Sequence, residues 1–150
     1  MKKAIVAFFA VTAIAAAQSI LNVAPPRKVT VKRGAAVEAK LDISLQPGFH
    51  VNSDKPDDEY LIPLRLRWEQ GPLAPVEIVY PAAEHKKYSY SEKPLSVFAQ
   101  RFQIVTRFKA AADAPPGPGI LTGKLRYQAC AEDRCYPPRT VDVKLPYTIE

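Results

Sequence analysis

Cys130 and Cys135 are the only cysteines of the 150-residue chain, and four residues separate them. They lie within Tyr127-Gln-Ala-Cys130-Ala-Glu-Asp-Arg-Cys135-Tyr-Pro-Pro138. A thiol pair this close can close a disulfide, or open and re-form one by exchange with a partner's thiolate. Two chemistries compete: a structural staple and a working redox couple. The loop between the sulfurs is short, so bridging it stabilises the fold by only about 2–3 kcal/mol in the chain-entropy picture. A staple gains more by joining distant strands, which leans towards redox use. Against that, the spacing is not the two-residue spacing of thioredoxin-like motifs, and no helix N-terminus is expected nearby to lower a thiol pKa. From the residues alone, both uses stay open.

Strands must hold the pair. Leu125, Tyr127 and Ala129 alternate with Lys124, Arg126 and Gln128, and Val141, Val143 and Leu145 alternate with Asp142 and Lys144. A period of two marks half-buried strands, so the cysteines fall at the mouth of a β-hairpin. Upstream, Val29 and Val31 mark a short strand after the extended lead-in Leu21–Pro26, and Val37 to Leu45 alternates most clearly. Gln46-Pro-Gly48 is a turn, and Phe49-His-Val-Asn52 resumes as a strand. Leu64, Leu66 and Trp68 form another, as do Val76, Ile78 and Tyr80. Ser53–Glu59 reads as a polar loop, Pro81–Pro94 as a long one, and Val97–Phe108 as a single strand. A turn-rich connector, Ala110–Gly119, leads into the hairpin. Fifteen prolines and no helical period argue against a bundle. The expectation is an all-β, immunoglobulin-like β-sandwich carrying a cysteine-bearing β-hairpin.

Residues 1–17 read as a signal peptide: basic Met1-Lys2-Lys3, an apolar run from Ala4 to Ala15, and a small-residue site at Ala15-Ala-Ala17. That run is shorter than the roughly 20 residues a membrane span needs. Cleavage is expected after Ala17, leaving a single domain, 18–150, outside the cytosol. Disulfides persist there. Loss of Lys2 and Lys3 lowers the formal charge from +6 by two. The remaining basic residues are mixed with acids in no aromatic-interleaved stripe, so nucleic acid is not an expected partner. Only two histidines are present, His50 and His85. With the cysteines they show no ligand spacing, so no metal is expected. Asp54–Glu59 lacks a calcium-loop pattern. No cofactor is expected either.

The cysteine stretch resembles the active-site segment of the N-terminal periplasmic domain of the thiol:disulfide interchange protein DsbD, which begins Tyr-Gln-Gly-Cys-Ala and ends Cys-Tyr-Pro-Pro. Pro47-Gly-Phe-His-Val-Asn52 resembles that family's Gly-aromatic pattern, and Tyr88-Ser-Tyr-Ser-Glu-Lys-Pro-Leu-Ser-Val-Phe98 its cap loop. The resemblance implies an immunoglobulin-like thiol-disulfide oxidoreductase component, a protein-disulfide reductase. It would take electrons from a membrane-embedded or thioredoxin-like donor and pass them to oxidised periplasmic thioredoxin-fold proteins. By position, Cys135 matches the cysteine that forms mixed disulfides and Cys130 the one that resolves them. Arg134 would favour the Cys135 thiolate, whereas Glu132 and Asp133 would oppose it, so no net tuning is assigned. Tyr88 and Tyr90 are the candidates for an aromatic lid that shields the sulfurs from the wrong oxidant, with Tyr88 preferred. A monomer that depends on separate electron partners is expected. Two features depart from the family pattern: four rather than five residues lie between the cysteines, and Glu84-His-Lys-Lys87 is basic where an acidic stretch is usual. The alternative is a non-catalytic periplasmic sandwich for binding or assembly, with a structural disulfide. Exposure of the sulfurs separates the two: deep burial under core residues favours the staple, and cover by the Tyr88–Tyr90 loop alone favours exchange.

Overall fold

Alternation of apolar and polar side chains is the rule from which the architecture is built. The structure, a computed structural model, describes residues 19–150. The expected signal peptide and the cleavage point before Gln18 lie outside the described residues. In chain order the strands are β1 (Leu21–Val23), β2 (Val29–Val31), β3 (Ala36–Leu45), β4 (His50–Asn52), β5 (Arg65–Trp68) and β6 (Leu73–Val79). They continue as β7 (Glu84–Lys86), β8 (Leu95–Ala99), β9 (Arg101–Ala110), β10 (Gly117–Tyr127), β11 (Ala129–Cys130) and β12 (Arg139–Ile149), with no helix among the described residues. In β3, Ala39, Leu41, Ile43 and Leu45 are buried while Glu38, Lys40 and Asp42 face out, which is the alternation expected of a half-buried strand.

Two four-stranded sheets, ordered β1-β3-β9-β6 and β2-β12-β10-β5, pack face to face. Leu41, Ile43 and Ile104 of the first sheet meet Leu66, Leu125 and Val143 of the second in one apolar cluster. Ala39 and Phe108 meet Leu121, Leu145 and Ile149 in a second cluster. Fully burying a side chain of this kind stabilises by roughly 1.5–3 kcal/mol, so these two clusters dominate the energetics. Trp68 stands edge-on to Phe108, with ring centroids 5.1 Å apart, and its Nε1 donates to Thr106 Oγ1 at 3.0 Å. Gly123 lies opposite Trp68 in the β10–β5 pair because a Cβ there would come within 2.7 Å of the indole. This is the expected immunoglobulin-like sandwich, and the β10–β12 hairpin is paired in register from Gly117↔Ile149 to Tyr127↔Arg139.

A third sheet, β11-β4-β8-β7, closes one end of the sandwich. It is assembled from continuations of the other two. The antiparallel pair β3–β9 runs to Ser44↔Arg101 and resumes as β4–β8 at His50↔Ala99. Between those points one chain passes through Gln100 alone, held at φ 57°, while the other makes the turn Gln46–Phe49. Pro47 and Gly48 suit the two central positions of that turn; Gly48 has φ 83°, and Phe49 N–H bonds Gln46 O at 3.2 Å. The expected single strand from Val97 to Phe108 is therefore two, broken at Gln100. Two further differences arise because tertiary pairing makes strands where local pattern is weak. Charged Glu84–Lys86, inside the long loop, pairs with β8. Part of the lead-in, Leu21–Val23, pairs with β3. Val76 is 66% exposed, beside a register shift on the edge strand β6.

Candidate functional site

Gln128 separates β10 from β11, and the chain then changes sheet. Its Oε1 accepts hydrogen bonds from Asn52 Nδ2 at 3.2 Å and Ile62 N–H at 3.4 Å, while Asn52 Nδ2 also donates to Ile62 O at 3.0 Å. This polar clasp holds the crossing strand. β11 pairs antiparallel with β4, so Ala129 faces Val51 and Cys130 faces His50. Cys130 and Cys135 are joined by a disulfide, and their Cα atoms close to 3.9 Å. Ala131 N–H to Arg134 O at 2.7 Å and Tyr136 N–H to Ala129 O at 2.8 Å tie the turn. The two sulfurs are not equivalent. Cys130 is 0% exposed, whereas Cys135 is only half-buried and is followed by exposed Tyr136, Pro137 and Pro138.

Tyr88 and Tyr90 come to this site through His50. Directly opposed residues of an antiparallel pair share one face, so His50 and Cys130 lie side by side. Tyr88 stacks on the His50 ring at 3.8 Å between centroids and 15° between planes. Tyr90 is nearly coplanar in orientation with His50, at 2°, and its Oη lies 2.7 Å from His50 Nε2. The Tyr88–Tyr90 loop also reaches the cysteine turn: Ser89 Oγ–H donates to Glu132 O at 3.0 Å. Lys86 Nζ lies 3.9 Å from the Glu132 carboxylate and 5.2 Å from the Tyr88 ring centroid. Tyr88 is buried with Leu95 and Val97 in a small apolar cluster of its own.

Burial, with a smaller contribution from Lys86, lowers the His50 pKa to about 4, so its ring is neutral at neutral pH. Burial, then Tyr90, Glu132 and Glu84, push the Tyr88 phenol up to about 12; burial and Glu132 do the same for Tyr90. Both phenols therefore keep their protons. Arg134 and Asp133 bond each other at 3.0 Å on the exposed turn, so neither is directed at Cys135 by a contact. The Arg134 guanidinium lowers the Asp133 pKa. Of the residues expected at the site, Cys130, Cys135, Tyr88, Tyr90 and Glu132 are brought together, whereas Arg134 and Asp133 satisfy one another. His85 is exposed on β7, apart from His50. Among the described residues no group of three His, Cys, Asp or Glu side chains converges to hold a metal. His50 is the residue that sequence reasoning undervalued. Its motif, Pro47-Gly-Phe-His-Val-Asn52, stood out, but its register against Cys130 is a long-range fact.

Residues 17–146 match the family described as thiol:disulfide interchange protein DsbD, N-terminal. The chain belongs to that family. Its disulfide-bonded pair, Cys130–Cys135, lies within the matched residues. Among solved structures, the N-terminal periplasmic domain of ScsB from Proteus mirabilis is similar at TM-score 0.55 and 14% identity, over 83% of this chain and 44% of that one. The reduced N-terminal domain of Neisseria meningitidis DsbD is similar at TM-score 0.50 and 18% identity, over 77% of this chain and 82% of that one. At such identities the likeness is one of fold. The chain spans less than half of the ScsB structure it matches. No curated protein sequence matches this DsbD N-terminal domain.

Proposed function

We propose that this DsbD-type domain is an exported electron relay in the periplasm. It takes reducing equivalents from a membrane-embedded or thioredoxin-like donor and gives them to oxidised thioredoxin-fold proteins. Cys135 is the partner-facing sulfur and Cys130 the resolving one. The observation that carries this reading is the asymmetry of the pair: Cys130 is fully enclosed beside His50, whereas Cys135 is half-buried and followed by exposed Tyr136-Pro-Pro138. Exchange needs one sulfur that a partner can reach once the cover is displaced and a protected one that attacks later, and the unequal burial of the pair suits both. Tyr88 and Tyr90 act as the lid. Tyr90 is tied to His50 by one hydrogen bond and Ser89 to the Glu132 carbonyl by another, contacts that a docking partner can exchange for its own, while Tyr88 stays seated on Leu95 and Val97.

Arg134, Glu132 and Asp133 contribute little to the thiol's electrostatics in this reading, since they are exposed and engaged with each other or with the lid. Glu132 instead serves as the lid's anchor. Titrating the disulfide against a glutathione or thioredoxin couple tests the proposal. A potential within reach of a thioredoxin-fold donor, above about −300 mV, supports relay, and a much lower one sinks it.

A further inference from the structure

Opening the disulfide creates a charge on the sulfur of Cys130, a residue that is 0% exposed. We infer that His50 is the residue that positions a hydrogen bond on the Cys130 thiolate, both when that sulfur leaves and when it attacks; the inference rests on the exchange reading above. In the loading direction a thiolate of a thioredoxin-fold dithiol attacks Cys135 Sγ. The S–S bond breaks, and its electron pair goes to Cys130 Sγ. The donor's second thiolate then cleaves the mixed disulfide, so the donor is oxidised by two electrons and the cysteine pair is reduced. In the unloading direction the Cys135 thiolate first opens an acceptor's disulfide. The Cys130 thiolate then attacks Cys135 Sγ, and the acceptor leaves as a thiolate. Cys130 is charged in both directions, at 0% exposure, and burial disfavours that charge unless a donor meets it.

The groups facing Cys130 leave one candidate donor. On the turn, Glu132 and Asp133 repel a thiolate, and Arg134 is fully engaged with Asp133. On β7, Glu84 repels it, and Lys86 is exposed and directed at Glu132 and the Tyr88 ring. On the lid, Tyr88 presents its ring face to His50, and Tyr90 spends its hydroxyl on His50 Nε2. On β4, His50 stands directly opposite Cys130 and is 2% exposed. Tyr90 Oη lies 2.7 Å from His50 Nε2; with the phenol as the donor of that bond, the imidazole proton sits on Nδ1. The contact to Tyr90 is the one side-chain hydrogen bond His50 makes among the described residues, so in that tautomer Nδ1–H is uncommitted on the residue directly opposite Cys130. In the disulfide the sulfur is uncharged and has no need of it. On cleavage, a hydrogen bond to the charged form lowers the thiol pKa.

Reaction of the reduced domain with dithiobis(nitrobenzoate) separates the two thiols in time. Cys135 attacks first, in a phase whose rate depends on reagent concentration. Cys130 then displaces the second aromatic thiolate in a phase that does not. His50→Phe keeps a ring against Tyr88 and removes both nitrogens; His50→Leu, which also has no donor, serves where the Phe variant does not fold, and Tyr90→Phe frees the tautomer. The expected result is a rise of about one unit in the pH midpoint of the second phase, and about a tenfold slower second phase at pH 7, in the His50 variants. The first phase keeps its pH midpoint. A smaller rise is expected in Tyr90→Phe. Equal second-phase midpoints in wild type and both His50 variants overturn the inference. Reduction of the wild-type disulfide by reduced thioredoxin is read in parallel. Resistance there sinks the exchange reading while the His50 shift stands, and ready reduction with no His50 shift sinks this inference alone.

Discussion

The sandwich interior and the cysteine end bury side chains by different rules. Between the two large sheets the enclosed residues are apolar, and the exception, Thr106, is matched to the Trp68 N–H. Around the third sheet the buried polar residues accumulate: His50, Asn52, Ser53 and Ser96. Ser53 and Ser96 hydroxyls bond each other at 2.8 Å, Asn52 holds Gln128, and Asn52 Oδ1 is buried without a hydrogen-bond partner. Polar burial returns less free energy than apolar burial, and each unmatched group costs about 1–3 kcal/mol. The cysteine end therefore draws its stability from the sandwich and uses its own contacts for position.

The sharpest contrast lies within the site. Cys130→Ser should accumulate mixed disulfides through Cys135 with thioredoxin-fold proteins, and Cys135→Ser should capture them at background level. Non-reducing electrophoresis after acid quenching reads both, and the reverse pattern would exchange the two roles. In the sandwich, Phe108→Ala should cost about 3–5 kcal/mol in urea unfolding, since the ring is fully buried against Trp68. Its disulfide potential should not move. Losing the bridge by mutating both cysteines should cost less, about 2–3 kcal/mol. A loss larger than that of Phe108→Ala would make the bridge a staple and collapse the distinction between the two regions.

Acid gives a finer test. The folded His50 value, about 4, lies below its ordinary 6.5. Above pH 6.5 both folded and unfolded states leave it neutral, so it contributes no slope. Between about 6.5 and 4 the unfolded chain binds the proton and the folded chain does not, so stability falls as pH drops through that window. Allowing for solvent screening, the loss should be about 1–2 kcal/mol, and His50→Phe should remove that part of the slope in urea titrations at each pH. The smallest effect is expected at the latch. Ser89→Ala removes one hydrogen bond from lid to turn, worth about 0.5–1.5 kcal/mol. Iodoacetamide should then alkylate Cys135 of the reduced protein about two- to tenfold faster.

Much of the scaffold was legible because alternation is local. Val37–Leu45, Leu121–Tyr127 and Val141–Leu145 declare their buried faces residue by residue, and Pro47-Gly48 declares its turn. The cysteine motif was equally plain, since Tyr127–Pro138 is contiguous. Glu84–Lys86 was not legible as a strand: three charged or polar residues have no face to hide, and β8 alone makes them a strand. The break at Gln100 escaped for a related reason, because one left-handed residue leaves the apolar parity of Phe102, Ile104 and Phe108 undisturbed.

The sequence by itself determined a β-sandwich and a hairpin with a closable thiol pair, each from residues close together in the chain. Tertiary structure alone decided that Gln128 sends Cys130 into the third sheet, that His50 becomes its cross-strand neighbour, and that one sulfur is enclosed while the other is not. Those facts depend on pairings across tens of residues, such as Cys130 with His50, and such register is set by how whole sheets meet rather than by any local pattern.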